Sequence, residues 1–291
     1  MNPNPVIEQA ITFDCEGDAL VGILHLPAAP SEVGVVVIVG GPQYRAGSHR
    51  QFVLLARALA KAGFAVLRFD YRGMGDSGGT PRDFEHVVGD VGAAIEAMQA
   101  QVREVNRVVL WGLCDGASAA LLYLDATHDS RVQGLCLLNP WVRSDASLAR
   151  TYAKHYYVQR LRDRAFWAKL LSGRVGAQAL RGLVTDFCAR PASSKGPRFQ
   201  ERMAAAWSTF DGHTLLVLSG GDYTAKEFIQ VTQRDRVWAD ALRRSRLQRL
   251  ELNAADHTFS NELYRRLADE ETVRWIRTLS DRVPRPAMGA A

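Results

Sequence analysis

Between residues 33 and 138, short apolar, β-branched runs alternate with stretches whose apolar residues recur every three or four positions, and few folds accommodate that rhythm. The first run, VGVVVIVGGP over 33–42, is apolar at successive positions and stops at Gly40, Gly41 and Pro42. Such a run suits a strand covered on both faces in a mostly parallel sheet. Phe52, Leu55, Ala56 and Leu59 then predict a helix over 49–61, closed by Gly63. The pattern continues with a strand at 65–69, a helix over 83–101 and a strand at 107–111, followed by a helix over 117–126 and a strand at 132–138. Ahead of it, residues 7–14 and 19–26, separated by EGD, predict an antiparallel hairpin. The expected class is α/β: a mostly parallel, doubly wound sheet of about eight strands.

After Asn139 and Pro140 the alternation lapses, and it resumes with a strand at 214–218, a helical stretch over 225–242, a strand at 247–252 and a last helix over 261–280. Residues 141–210, with helix-like pieces at 165–171 and 198–207, therefore read as a mostly helical cap inserted into a core made of 1–140 and 211–291. The insertion holds thirteen Lys or Arg against four acids, a net charge of +9. With +5 for the whole chain, the remainder carries −4, so the basic character belongs to the cap. A basic rim of this kind raises the local concentration of an anionic substrate, carrier or surface.

At 47% hydrophobic and 23% charged, the composition excludes disorder, collagen and coiled coil. No apolar run approaches the roughly 18 residues of a membrane span. The start, MNPNPVIEQA, lacks a basic region followed by an apolar one, so no stable membrane insertion and a cytoplasmic address are expected. Four cysteines, at 15, 114, 136 and 188, lack zinc-site spacing and are expected to be reduced thiols, Cys136 in the core. No phosphate loop, nicotinamide fingerprint or metal-ligand cluster is visible, so no cofactor and no metal are expected. The basic residues come without a reader motif, which argues against nucleic acid.

The sharpest local signal is Gly112-Leu113-Cys114-Asp115-Gly116, directly between the strand RVVLW and the helix ASAALLYL. This is a G-x-nucleophile-x-G elbow with cysteine at its centre, a strained turn whose flanking glycines prevent collisions between strand and helix. It places the Cys114 sulfur at a helix N-terminus, where amides and dipole favour thiolate. Elbow enzymes carry nucleophile, acid and histidine in chain order. Of seven histidines, His257 in NAADHTFS follows the strand QRLEL, whereas His213 precedes a strand and the others lie too early. Asp222, behind two glycines after LLVLS, is the expected acid; Asp256, next to His257, is badly placed to face the same ring. An oxyanion hole needs two backbone donors. The amide of Asp115 is one, and because Pro42 has no N–H, Gly41 is the first choice for the other and Gln43 the second. Tyr44, Arg45 and His49 are candidates for the pocket mouth or for a solvated helix start, and DYRGMGDS at 70–77 is expected to be structural.

These motifs resemble the α/β-hydrolase superfamily over nearly the whole chain. GGPQ looks like the oxyanion loop and Asp70-Tyr71-Arg72-Gly73-Met74-Gly75-Asp76-Ser77 like the D-x-R-G-x-G-x-S loop. More narrowly, GGPQYRAGSHRQFVLLARALA, RFDYRGMGDS, LWGLCDG and DHTFS resemble the exosortase A system-associated hydrolase 1 family. That resemblance implies genomic company with exopolysaccharide synthesis and exosortase-dependent sorting, without supplying a substrate. Cysteine at the elbow departs from most of the superfamily and is shared with dienelactone hydrolases.

A thiolate attacking an alkyl ester gives an intermediate that preferentially expels the thiolate again, whereas a thioester or activated acyl bond carries no such handicap. The expectation is therefore a Cys-His-Asp enzyme with an acyl-cysteine intermediate, acting on a small acyl or acyl-carrier substrate, with an anionic carrier favoured by the cap. An acyltransferase would use the same residues, and a non-catalytic glycan- or lipid-binding protein is the alternative from another class. Acyl length and oligomeric state are not encoded in any motif.

Overall fold

A computed structural model describes residues 5–41, 43–143, 197–243 and 246–280. The chain divides into two compact units, Met1–Val142 with Arg198–Ala291, and Arg143–Pro197. Nearly all of the smaller unit, including Cys188 and the helix expected at 165–171, lies outside the described residues.

The larger unit is built on eight strands, β1 (Val6–Cys15), β2 (Asp18–Pro27), β3 (Val33–Ile38), β4 (Ala65–Phe69), β5 (Arg107–Leu113), β6 (Val132–Leu138), β7 (His213–Ser219) and β8 (Leu247–Leu252). Their order across the sheet is β1-β2-β4-β3-β5-β6-β7-β8. β2 pairs antiparallel with β1 and β4, and every other pairing is parallel. The α/β-hydrolase architecture expected from the sequence is what forms.

The described helices are α1 (Gln51–Lys61), α2 (Val88–Gln101), α3 (Asp115–Thr127), α4 (Phe199–Thr209), α5 (Tyr223–Arg234), α6 (Arg236–Leu242) and α7 (Glu262–Ser280). Along β3 the period of two sends Val36 and Ile38 into one apolar layer, with Val91, Ile95 and Leu121 of α2 and α3. Val35 and Val37 enter the opposite layer, with Leu55 and Leu59 of α1 and Trp275 and Ile276 of α7. A strand buried on both faces must be apolar throughout, which is why the 33–39 run shows no polar alternation.

Two elements differ from the sequence expectation. The stretch 225–242 is two helices, because Asp235 leaves the helix at φ −103°, ψ 127° and its carboxylate accepts from the Val237 and Trp238 amides, capping a new helix. Residues 198–210, placed in the insertion by the lapse of alternation, belong to the larger unit. In α4, Trp207 packs against Phe228 and Trp238 with ring centroids 6.1 and 5.7 Å apart.

After β3 the chain turns one way to β4 and then crosses back to the other side of β3 to form β5. That reversal opens a crevice at the carboxyl ends of β3 and β5, where doubly wound sheets carry their sites. Gly40 and Gly41 leave β3 there, and Cys114 leaves β5.

Candidate active site

Cys114 adopts φ 61°, ψ −126° between β5 and α3, a conformation that costs a non-glycine residue about 1–3 kcal/mol. The surrounding contacts hold it there. The Cys114 amide donates to the Leu138 carbonyl at 2.9 Å, and its carbonyl accepts from the Trp141 amide at 3.2 Å. Ser118 Oγ donates to the Trp141 carbonyl at 2.6 Å. A Cβ on Gly112 would lie 2.4 Å from the Gly116 backbone, and one on Gly116 would lie 2.5 Å from the Ile38 carbonyl oxygen. Both glycines are thus dictated by close approach rather than by flexibility.

Asp222 follows β7 and opens α5, its carboxylate accepting from the Thr224 and Ala225 amides at 3.1 and 3.2 Å. The same carboxylate meets His257 Nδ1 at 2.8 Å, with Asp222 only 7% exposed. Although burial works against its charge, the bonds from His257 and the helix amides hold the Asp222 carboxyl below its ordinary pKa. His257 moves the other way, pushed up to about 10, first by its hydrogen bond to Asp222 and then by the Cys114 side chain. One imidazole therefore answers to both the carboxylate and the thiol. Cys114, Asp222 and His257, singled out from sequence, are brought together by three separate strand ends.

The neighbouring candidates fall elsewhere. Asp256 accepts from the Ser260 amide and hydroxyl, closing its own turn. His213 begins β7 and so sits at the opposite edge of the sheet. Arg45 pairs inward with Asp70 and with Asp76, its amide donating to Asp70 Oδ1 at 2.6 Å. The Gln43 side chain accepts from the Ser48 amide at 3.0 Å. In the 70–77 loop, Arg72 forms a buried pair with Asp90 at 2.9 Å, and Tyr71 Oη donates to the Val39 carbonyl at 2.6 Å, bracing the end of β3 from below.

Gly41, the first-choice oxyanion donor, gives its N–H to Asp115 Oδ1 at 2.5 Å. One supporting residue escaped the sequence reading. Asn139, at φ 45° and fully buried, accepts from the Ser219 amide at 2.8 Å and donates to Ser219 Oγ at 2.9 Å and the His257 carbonyl at 3.3 Å. It ties β6 and β7 to the loop that carries His257. The visible signal was an Asn-Pro after a strand, which reads equally well as a simple terminator.

Residues 30–204, more than half of the chain and including the elbow, match the family described as serine aminopeptidase, S33. The chain belongs to this hydrolase family. In this S33-family protein, cysteine stands at the elbow. It is 37% identical over 86 residues to human protein ABHD12B, a match covering 30% of this chain and 23% of that protein. Among solved structures, a Pyrococcus furiosus esterase superposes with a TM-score of 0.64 at 14% identity, covering 94% of this chain and 91% of its own. Est1E from Butyrivibrio proteoclasticus, solved with ferulic acid, gives 0.60 at 16% identity, covering 92% of this chain and 100% of its own. A Xanthomonas campestris α/β serine hydrolase without a lid gives 0.59 at 17% identity, covering 96% and 98%. At these identities the likeness is one of fold. Among the described residues no helix is long and apolar enough to cross a membrane, and no cluster of His, Cys, Asp or Glu is arranged to hold a metal.

Proposed function

We propose that this S33-family protein is a cysteine-dependent hydrolase of thioesters or similarly activated acyl bonds. The observation that carries the reading is the single imidazole held by Asp222 at 2.8 Å, its pKa raised by both that carboxylate and the Cys114 side chain of the elbow. Asp222 accepts a hydrogen bond from Nδ1–H and orients the ring with Nε2 toward Cys114. Raised to about 10, His257 holds the Cys114 proton as imidazolium at neutral pH; the thiolate attacks the acyl carbon, and the developing oxyanion is met by the amides of Gly41 and Asp115. Collapse expels the leaving thiolate, which takes its proton from His257. Water, activated by the same imidazole, then cleaves the acyl-cysteine.

A thiolate leaving group and the Cys114 thiolate are of similar basicity, so the intermediate partitions forward, whereas an alkoxide does not compete. The resemblance to the exosortase A system-associated family supports a cytoplasmic role alongside exopolysaccharide or exosortase systems, while the acyl group itself is inferred from the cysteine chemistry. The +8 charge of residues 143–197, eleven Lys or Arg against three acids, supports a basic cap that draws in an anionic acyl carrier.

The test is a matched pair of butyryl substrates, the thioester of N-acetylcysteamine and the corresponding alkyl ester. The expected kcat/KM favours the thioester by at least 100-fold, and the Cys114→Ser variant loses that preference. Equal turnover of both bonds by the wild type would overturn the thioester reading. Thioester loss that requires an added saccharide or amine acceptor would replace hydrolysis by acyl transfer. Saccharide binding retained by Cys114→Ala, with no turnover of any ester by wild type, would replace it by a binding function.

A further inference from the structure

One amide that a reaction oxyanion would need is already satisfied by a carboxylate. Asp115 follows the nucleophile directly, and its Oδ1 accepts from the Gly41 amide at 2.5 Å, across 74 residues of chain; the backbone of Gly116 and of Asp115 itself also favours the charged carboxylate. The Gly41 and Asp115 amides are the two donors assigned to the oxyanion in the mechanism above.

The fit is close on the β3 side too. A Cβ on Gly40 would come within 2.5 Å of Asp115 Oδ1 and 2.2 Å of the Leu113 carbonyl, so any larger residue there would expel the carboxylate. Burial raises the Asp115 carboxyl above its ordinary pKa even though three amides oppose the shift. The Asp115 charge also contributes to raising the Tyr71 hydroxyl. A partly buried carboxylate on the Gly41 N–H is the charge type that the hole is built to stabilise during turnover.

We propose that Asp115 gates the active site by occupying the oxyanion hole with its own carboxylate, and that acylation of Cys114 requires this side chain to leave. The proposal rests on Cys114 as the nucleophile but not on the identity of the substrate. A neutral carbonyl oxygen is a weaker acceptor than a carboxylate, so ground-state substrate cannot evict Asp115. Only the charge developing in the transition state competes with it. The gate therefore discriminates against ligands that bring a second anion to the same amides while Asp115 remains in place.

The experiment compares alkylation of Cys114 by iodoacetate and by iodoacetamide, two reagents of nearly the same size that differ in charge. In both, a C–S bond forms, iodide leaves and the thiol proton passes to His257. Peptide mapping by mass spectrometry isolates the Cys114 adduct from those of the other cysteines. In wild type, iodoacetate finds the amides already taken. In Asp115→Ala they are open, so the iodoacetate-to-iodoacetamide rate ratio rises at least tenfold. Asp115→Asn, which keeps shape and an acceptor oxygen but no charge, gives a smaller rise and serves where the alanine variant does not fold. Ratios unchanged within twofold in both variants, or a fall, would overturn the gate. A raised ratio in a protein that never turns over a thioester would keep the gate and remove the proposed substrate class.

Discussion

Replacing Asp222 by Asn tests the imidazole bridge with little disturbance to the fold. Asn caps helices about as well as Asp, so the bonds to the Thr224 and Ala225 amides have a replacement and folding stability should change by less than about 1 kcal/mol. The His257 contact is another matter, because a neutral amide replaces a carboxylate 2.8 Å from Nδ1. A hydrogen bond to a charged group is worth about 1.5–3 kcal/mol. Withdrawn from the transition state, where imidazolium forms, that is about 10- to 150-fold in kcat/KM. If the Asn turns its NH2 toward the ring the tautomer reverses and the loss approaches about 10⁴-fold. Thioester hydrolysis followed by ultraviolet absorbance gives kcat/KM. NMR titration of the His257 ring follows its pKa, expected to move from about 10 back toward 6.5. Activity within threefold of wild type, at an unchanged unfolding midpoint, would refute the reasoning.

Three further outcomes follow from the same contacts. Because His257 is raised in the folded state from 6.5 to about 10, its contribution to stability is fully present below pH 6.5 and is lost as pH rises through about 10. Urea midpoints of wild type should therefore fall over that window, and the fall should be smaller in His257→Ala. Asp90→Ala leaves the 2%-exposed Arg72 with only the more exposed Glu16 carboxylate, at 2.5 Å, as a partner, at an expected cost of about 3 kcal/mol by urea unfolding; a cost below about 1 kcal/mol would contradict the bracing role of the 70–77 loop. Asn139→Ala leaves the buried Ser219 amide unpaired and frees the His257 carbonyl, so about 1–3 kcal/mol of stability and at least tenfold of kcat/KM should be lost together. Loss of stability alone would reduce Asn139 to a fold residue.

The parts of the site that were legible in the sequence are those punctuated by glycine at strand ends. Cys114 stands between Gly112 and Gly116 because the turn leaves no room for a Cβ, and that packing limit is written directly into residue choice. Asp222 and His257 follow from the order of strands, since each parallel strand delivers its loop to the same edge of the sheet. Asn139 was not legible, because its partners Ser219 and His257 are 80 and 118 residues away and meet it only through the β6–β7 pairing. Asp115 was half legible. Its backbone role follows from its position after Cys114, but the fold of its side chain onto Gly41 depends on how β3 and β5 lie together. The helical residues 198–207 were recognised as helix and assigned to the cap, for periodicity tells that a face is apolar and not which layer covers it.

Intact-protein mass spectrometry of wild type and Cys114→Ala, each incubated with a panel of acyl-CoA thioesters and activated aryl esters, bears most directly on the nucleophile. Wild type alone should gain the mass of one acyl group, on the peptide containing Cys114. No adduct and no turnover with wild type, or the same adduct in both proteins, would contradict an acyl-cysteine mechanism at this elbow.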